Sequence, residues 1–519
     1  MFKKSSTFAF IHFLITFIND LLFINRTTSN IVNYIIVKIS LLLFLIIIYY
    51  LIFKVLNNKD KKLILKIFLL LFIPLLILFF LIYPGIWSSD TFDYLKFSKT
   101  CDFLYYLHYI TSIYYSLALS ILPLAISVPL LQIFLYSLVV TYIIYNLIKI
   151  FDIKKWYKYL LYIVFILPMT LFYAIYPNRP CIYGVLYLLF ISILLFKIYK
   201  KESLSKKEII QLLVLSSLLA TLRSEGIYLI IFSPLIISIL TSNKKIINAL
   251  KIFLMSFVLF FIISLPQNIN TIYKDKTYNI KRFIPSIVNP LGWMIDNGAN
   301  ITKEDYNNIN KIINIDKLLE YPVLNDSRCM WLNNCTNIDN ITTEELNMMK
   351  KSYISFILNN KKLYLQAKYK TFLLASGFTQ NSTLVNYNIF DRTDESVTTF
   401  LNDYKLTKPI NKDLREKVTS LLEGKSMHSH DPLKSYLYIN NLIIPIITLF
   451  ITCIILLLKK QIKYLILLVC PLGHALMIFL TAPASYFTYY YPVYLVGYFI
   501  LLFDIIVLIK KGGKKIWYL

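Results

Sequence analysis

Acidic residues, glycine and cysteine are scarce in this chain: its 519 residues include 28 Asp and Glu against 54 Lys and Arg, with 11 Gly and 6 Cys. The shortage of acid leaves a formal charge of +26, which in a soluble protein would point to nucleic acid. Here the lysines sit in short clusters between apolar runs. That arrangement marks the cytoplasmic loops of a membrane protein, so no nucleic-acid partner is expected. The few glycines, with abundant Ile, Lys, Asn, Tyr and Phe, fit an AT-rich genome. Six cysteines set no disulfide framework; Cys101, Cys329 and Cys335 fall in segments read as extracytoplasmic, and Cys329 and Cys335 are close enough in sequence to pair. No small-residue cleavage site follows the first apolar stretch, 8–24, so it reads as an uncleaved span rather than a signal peptide. No internal repeat is visible.

What the chain has instead is apolar length. Hydrophobic residues make up 57% and aromatics 16%, and the mean hydropathy is +0.63. A single soluble core cannot absorb that, so the expected fold class is an all-α polytopic membrane protein. Apolar runs propose about 12 transmembrane helices, at 8–24, 31–54, 66–83, 127–148, 159–176, 180–197, 209–222, 227–241, 247–265, 437–458, 464–481 and 487–509. With the amino terminus inside, six lysine clusters fall on the cytoplasmic side: those near 59–62, 154–158, 200–207, 244–245, 459–463 and 510–515. Both termini are then cytoplasmic. The resulting organisation is a transmembrane region, 1–265, with a first outer loop at 84–126; an extracytoplasmic domain, 266–436; and a C-terminal transmembrane region, 437–519. The segment 111–125 reads as an amphipathic helix on the outer leaflet. The domain reads as mainly helical, since Thr342 with Glu345 makes a capping box and Thr302 opens another helix. The polar tract 391–434 reads as a loose linker.

Candidate chemistry gathers on the outer face. In YPGIWSSDTFDYLKF (83–97), Pro84 and Gly85 break a span, and Asp90 and Asp93 then stand three residues apart on a short helix capped by Ser88 or Ser89. A carboxylate partly dried at a membrane boundary has its pKa raised toward the range of a general base; the plainer reading is a helix cap beside a solvated acid. The run 209–222 reaches roughly 21 Å at ~1.5 Å per residue, short of a ~30 Å hydrocarbon core. Arg223 and Glu225 are therefore expected below the outer lipid surface, paired or wetted within protein; local thinning with a snorkelling arginine is the alternative. The turn YPNRP (176–180) brings Arg179 to the same face, and an arginine fork suits a phosphate. Most of the 41 Tyr read as an interfacial belt, with a few available to stack on sugar rings. His474 reads as a hydrogen-bonded residue between helices.

The Pro-Gly break followed by S-S-D, the downstream His108, LRSEGIYL (222–229) and the late turn APASYFTYYYPVY (482–494) together resemble the GT-C superfamily of polytopic glycosyltransferases, in particular a functionally unassigned bacterial branch. This resemblance implies hexosyl or pentosyl transfer, with inversion, from a polyprenyl-phosphate-linked sugar to a glycan, lipid or protein acceptor of the cell envelope. It implies Asp90 as general base with Asp93 as helper, and Arg179 and Arg223 on the donor phosphate. His108, Glu225 and Tyr486 are further candidates. The chain departs from the pattern at Tyr109, where relatives carry Pro after His, at Ser485, where Arg precedes the Tyr, and at Asn178-Arg179, where Lys-Asp is usual. Some members use a divalent cation, and Asp90 with Asp93 could supply two ligands, but two carboxylates alone make no metal site. Two rival readings stand beside this one. A transporter or flippase of lipid-linked sugars should show inverted repeats and mid-depth charge, whereas Asp20 and Asp504 lie toward span ends. A glycan polymerase or ligase would draw on Arg282, Arg328, His428 and His430.

Overall fold

The computed structural model describes residues 2–23, 31–105, 108–154, 156–241, 246–273, 283–320, 335–337, 341–377, 409–423 and 440–510. Arg282, Arg328, Cys329, His428 and His430 lie outside the described residues; Cys335 is disulfide-bonded. No strand occurs among the described residues; Ile313 and Thr336 form an isolated bridge.

Helices α1 (Phe2–Phe23) and α2 (Ile31–Leu56) pack as a hairpin, and α3 (Lys61–Leu81) follows. The chain leaves α3 through Pro84 and Gly85. Gly85 has φ +99°, and a Cβ there would meet the Phe79 ring at 3.2 Å, so the turn favours glycine on two counts. Next come α4 (Ser89–Lys99), α5 (Tyr109–Ile121) and α6 (Ser127–Phe151). The stretch expected as a span at 159–176 is broken into α7 (Tyr157–Leu160), a short 3₁₀ turn and α8 (Pro168–Ile175), bent by 62°. Pro168, which cannot donate an amide hydrogen bond, starts the second arm. Then follow α9 (Arg179–Tyr199), α10 (Lys206–Leu222), α11 (Leu229–Leu240) and α12 (Ile246–Tyr273). A Ser205–Glu208 capping box opens α10.

Helix is present in each of the twelve apolar stretches, yet seven helices are long and apolar enough to cross a membrane, or eight if the bent pair is one span. They are α2, α3, α6, α9, most of α12, Ile462–Thr481 and Tyr491–Lys510. The protein is a helical membrane protein. Its α9 and Tyr491–Lys510 are 78% buried and α12 only 11%, so the first two form the centre and α12 the rim.

Three further expectations change. Helix α5 does not lie on the leaflet; Tyr115 to Ser120 are buried, because α4, α6 and the α1–α2 hairpin enclose it. The boundary proposed at 265 falls inside α12, which runs on through Pro266 to Tyr273. The tract read as a linker contains the Lys412–Glu423 helix, whose Arg415 is buried and donates to the carbonyls of Ile82 (3.3 Å) and Gly85 (3.2 Å). Between α12 and that helix, a second core forms from the Pro285–Asp296, Lys303–Asn310, Ile315–Leu319, Thr343–Asn359 and Lys361–Ala375 helices, apart from the main core. Thr302 and the Thr342–Glu345 capping box open two of these helices as expected.

Some of the tyrosines lie in the core rather than in a belt. Tyr94, Tyr115, Tyr136, Tyr176, Tyr187 and Tyr491 are among the largest fully buried side chains. Burial is tolerable where the hydroxyl finds a carbonyl, as when Tyr136 donates to Phe165 (2.6 Å) and Tyr115 to Pro177 (2.7 Å).

Candidate functional site

The site begins with the start of α4. Ser88 is its N-cap, and the cap is closed by Thr91, whose hydroxyl accepts from the Ser88 amide (2.7 Å) and donates to the Ser88 carbonyl (2.7 Å). The Ser88 side chain is buried, and its Oγ accepts from the Tyr176 hydroxyl (2.8 Å); that hydroxyl in turn accepts from Asn178 Nδ2 (2.8 Å). Gln132 pins the same turn through the carbonyls of Tyr173 (2.8 Å) and Tyr176 (2.6 Å). In this way YPNRP is docked against the mouth of α4, with Arg179 opening α9 beside it.

Because Ser88 and Thr91 do the capping, the plainer reading of Asp90 as a cap does not apply. Asp90 stands in the first turn of α4, half-buried. Desolvation pushes its carboxyl above the usual carboxylate range, and the charge of Arg179 pulls it partly back. Asp93, one turn on and more exposed, is pushed up to about 6 by desolvation and by the neighbouring charge of Asp90, against the pull of Lys96.

The hairpin between α10 and α11 supplies the second cation. Helix α10 has 17 residues, about 26 Å at ~1.5 Å per residue, so its end falls short of a ~30 Å hydrocarbon core as expected. Arg223 and Glu225 are buried there and ion-paired, with Arg223 Nε donating to Glu225 Oε2 at 3.2 Å. Ser224 adds a bond to the same oxygen (3.2 Å). Gly226 lets the hairpin close, since a Cβ would sit 2.7 Å from the Leu219 carbonyl oxygen. The Arg223 guanidinium lies over the Tyr489 ring at 5.4 Å, and its Nη1 is buried with no hydrogen-bond partner. An arginine nitrogen left in that state is an open donor.

Two tyrosines report that these groups share one place. Tyr94, on α4, lies in the field of Arg179, Asp90 and Arg223, and Tyr489, in the late turn, in that of Arg223, Asp90 and Glu225. Tyr486 stacks near Tyr489, with ring centroids 6.0 Å apart. The structure therefore gathers Asp90, Asp93, Arg179, Arg223, Glu225 and Tyr486 from four segments. His108 is placed differently: it is the N-cap of α5, where Nδ1 accepts from the Ile110 amide (3.3 Å). His474 stacks on Tyr183 (5.1 Å) and Tyr187 (5.6 Å) of α9.

Sequence reasoning missed Tyr94, Tyr176, Asn178, Tyr489 and Arg415. Tyr489 had a faint signal in the aromatic crowding of 486–491, and Tyr176 and Asn178 lay in the YPNRP turn; Tyr94 and Arg415 had none. Among the described residues, no group of three or more His, Cys, Asp or Glu could hold a metal ion. Comparisons with known protein families, with curated proteins and with solved structures return no match.

Proposed function

We propose that the protein is an integral membrane glycosyltransferase of GT-C type, and that it moves a sugar from a polyprenyl-phosphate donor to a cell-envelope acceptor on the outer face of the membrane. The observation that carries this reading is that Tyr94 lies in the field of Asp90, Arg179 and Arg223 together, while Arg223 also sits over the Tyr489 ring at 5.4 Å. Asp90 takes the proton of the acceptor hydroxyl as its oxygen attacks the anomeric carbon from the side opposite the phosphate. The bond from that carbon to the phosphate oxygen breaks, and the polyprenyl phosphate leaves with the electron pair. Arg179 and Arg223 hold the negative charge that the phosphate gains, Nη1 of Arg223 being the open donor. Asp93, itself raised by desolvation and by the charge of Asp90, is the helper beside it. Twelve passes with both termini cytoplasmic place the site outside; the alternation of the lysine clusters supports that topology.

A flippase reading has its own support. Lys38 and Asp20 form a buried ion pair between α2 and α1, with Tyr34 donating to Asp20 (2.6 Å), and Asp504 is buried against Thr452 (2.8 Å). Charge thus lies inside the bundle, where transporters keep it. Proteoliposomes carrying a labelled polyprenyl-phosphate sugar separate the two. Release of free polyprenyl phosphate together with a labelled acceptor is expected; net movement of intact donor across the bilayer without release would favour the flippase.

A further inference from the structure

Helix α3 carries an apolar groove that the proposed reaction does not use. One cavity of about 550 Å3 lies between α3 and the bent α7–α8 stretch, walled by Leu71, Leu75, Leu78, Phe165 and Leu171 among others. A second, shallow and open depression of about 470 Å3 lies along Lys62, Leu65, Lys66, Leu69 and Ile73, on the face of α3 alone. Leu70 and Pro74 belong to both, so the two join into one groove from Lys62 to Leu81. At ~1.5 Å per residue this is about 28 Å long, close to one hydrocarbon thickness.

The groove is apolar along its length and cationic at one end. Lys62 and Lys66 stand one helical turn apart on the same face. Neither makes an ion pair among the described residues; Lys66 Nζ donates to the Tyr159 hydroxyl (3.2 Å) and lies 5.7 Å from that ring. The neighbouring acid cannot neutralise them, because Asp60 is held by Lys149 (2.7 Å) and by the Tyr145 hydroxyl (2.9 Å). Two uncompensated ammonium groups at the rim of a lipid-depth apolar channel suit an anionic headgroup carrying long chains.

We propose that this groove binds an anionic phospholipid, its phosphate between Lys62 and Lys66 and an acyl chain along α3 toward Leu81. With the topology proposed above, the lipid belongs to the cytoplasmic leaflet. Each lysine near a membrane surface favours an anionic lipid by about fivefold, so the pair should give a preference of about 30-fold at low salt, shrinking as salt rises.

Native mass spectrometry of the full chain, exchanged into detergent with equimolar phosphatidylglycerol and phosphatidylcholine, tests this without reference to sugar transfer. The wild type should keep a phosphatidylglycerol adduct preferentially. Lys62→Gln/Lys66→Gln should lose the preference, while Lys459→Gln/Lys463→Gln, on another basic loop, should keep it. Leu70→Trp, which fills the groove and leaves both lysines, should lose the adduct as well. Equal retention of the two lipids, or an unchanged preference in both groove variants, would overturn the proposal. So would displacement of phosphatidylglycerol by stoichiometric polyprenyl phosphate, which would give the groove to the donor.

Discussion

Replacing Arg223 tests the site and its scaffold together, and the two effects can be separated. The ion pair it makes with Glu225 is almost sealed, the two side chains being 3% and 9% exposed. Arg223→Ala leaves a buried carboxylate without its counter-charge, which costs about 3–5 kcal/mol. Glu225→Ala leaves a buried guanidinium in the same position and should cost a similar amount. Removing both charges removes the penalty: Arg223→Met/Glu225→Gln is expected within about 1 kcal/mol of the wild type, so the two losses fall short of additive by about 5 kcal/mol or more. Thermal unfolding in detergent, followed by fluorescence-detected size exclusion, gives the ranking, with both single variants melting first and the double near the wild type. Function must not follow that ranking. If Arg223 holds the leaving phosphate, the double variant is folded and still inactive in donor turnover. A double variant as fragile as either single would show that the pair is not coupled, and a folded double variant with normal turnover would refute the phosphate role.

Two further perturbations act through neighbours. Arg415→Ala removes two donors from the carbonyls at the exit of α3 and should cost about 2–3 kcal/mol locally; faster hydrogen exchange across 82–95 with unchanged exchange in α9 is the expected signature, and a uniform change would contradict it. In pH–rate profiles, a base must be ionised to act, so activity should rise with pH through the raised pKa of Asp90, along a limb above the usual carboxylate range. Asp90 is raised by desolvation against the pull of Arg179, and the repulsion between the two acids falls on Asp93, so Asp93→Asn should leave the limb in place. A downward move of a unit or more would show that Asp93 is already ionised when Asp90 titrates.

The positions of the helices were legible because apolar runs and caps are local: Thr342 with Glu345 reads three residues ahead, and helix occupies every run. Span number was less so, since α10, α11 and Ile443–Leu458 are apolar but short, and Pro168 bends a stretch whose composition is uniformly greasy. Within the site, acids and arginines stood out because charge near lipid is costly and therefore conspicuous. The residues that hold them did not. Tyr176 meets Ser88 across 88 residues of chain and Arg415 meets Ile82 across 333. No periodicity encodes such pairings. Tyr94, buried, and Tyr489, partly buried, were hidden by number among 41 tyrosines.

The central claim is that Asp90 removes the acceptor proton while the arginines hold the phosphate. Asp90→Asn keeps the shape of the side chain and leaves the Ser88–Thr91 cap intact, so the reconstituted variant should fold, bind labelled polyprenyl-phosphate sugar as the wild type does, and transfer it about 10²–10⁴-fold more slowly. Wild-type transfer by that variant would contradict the account.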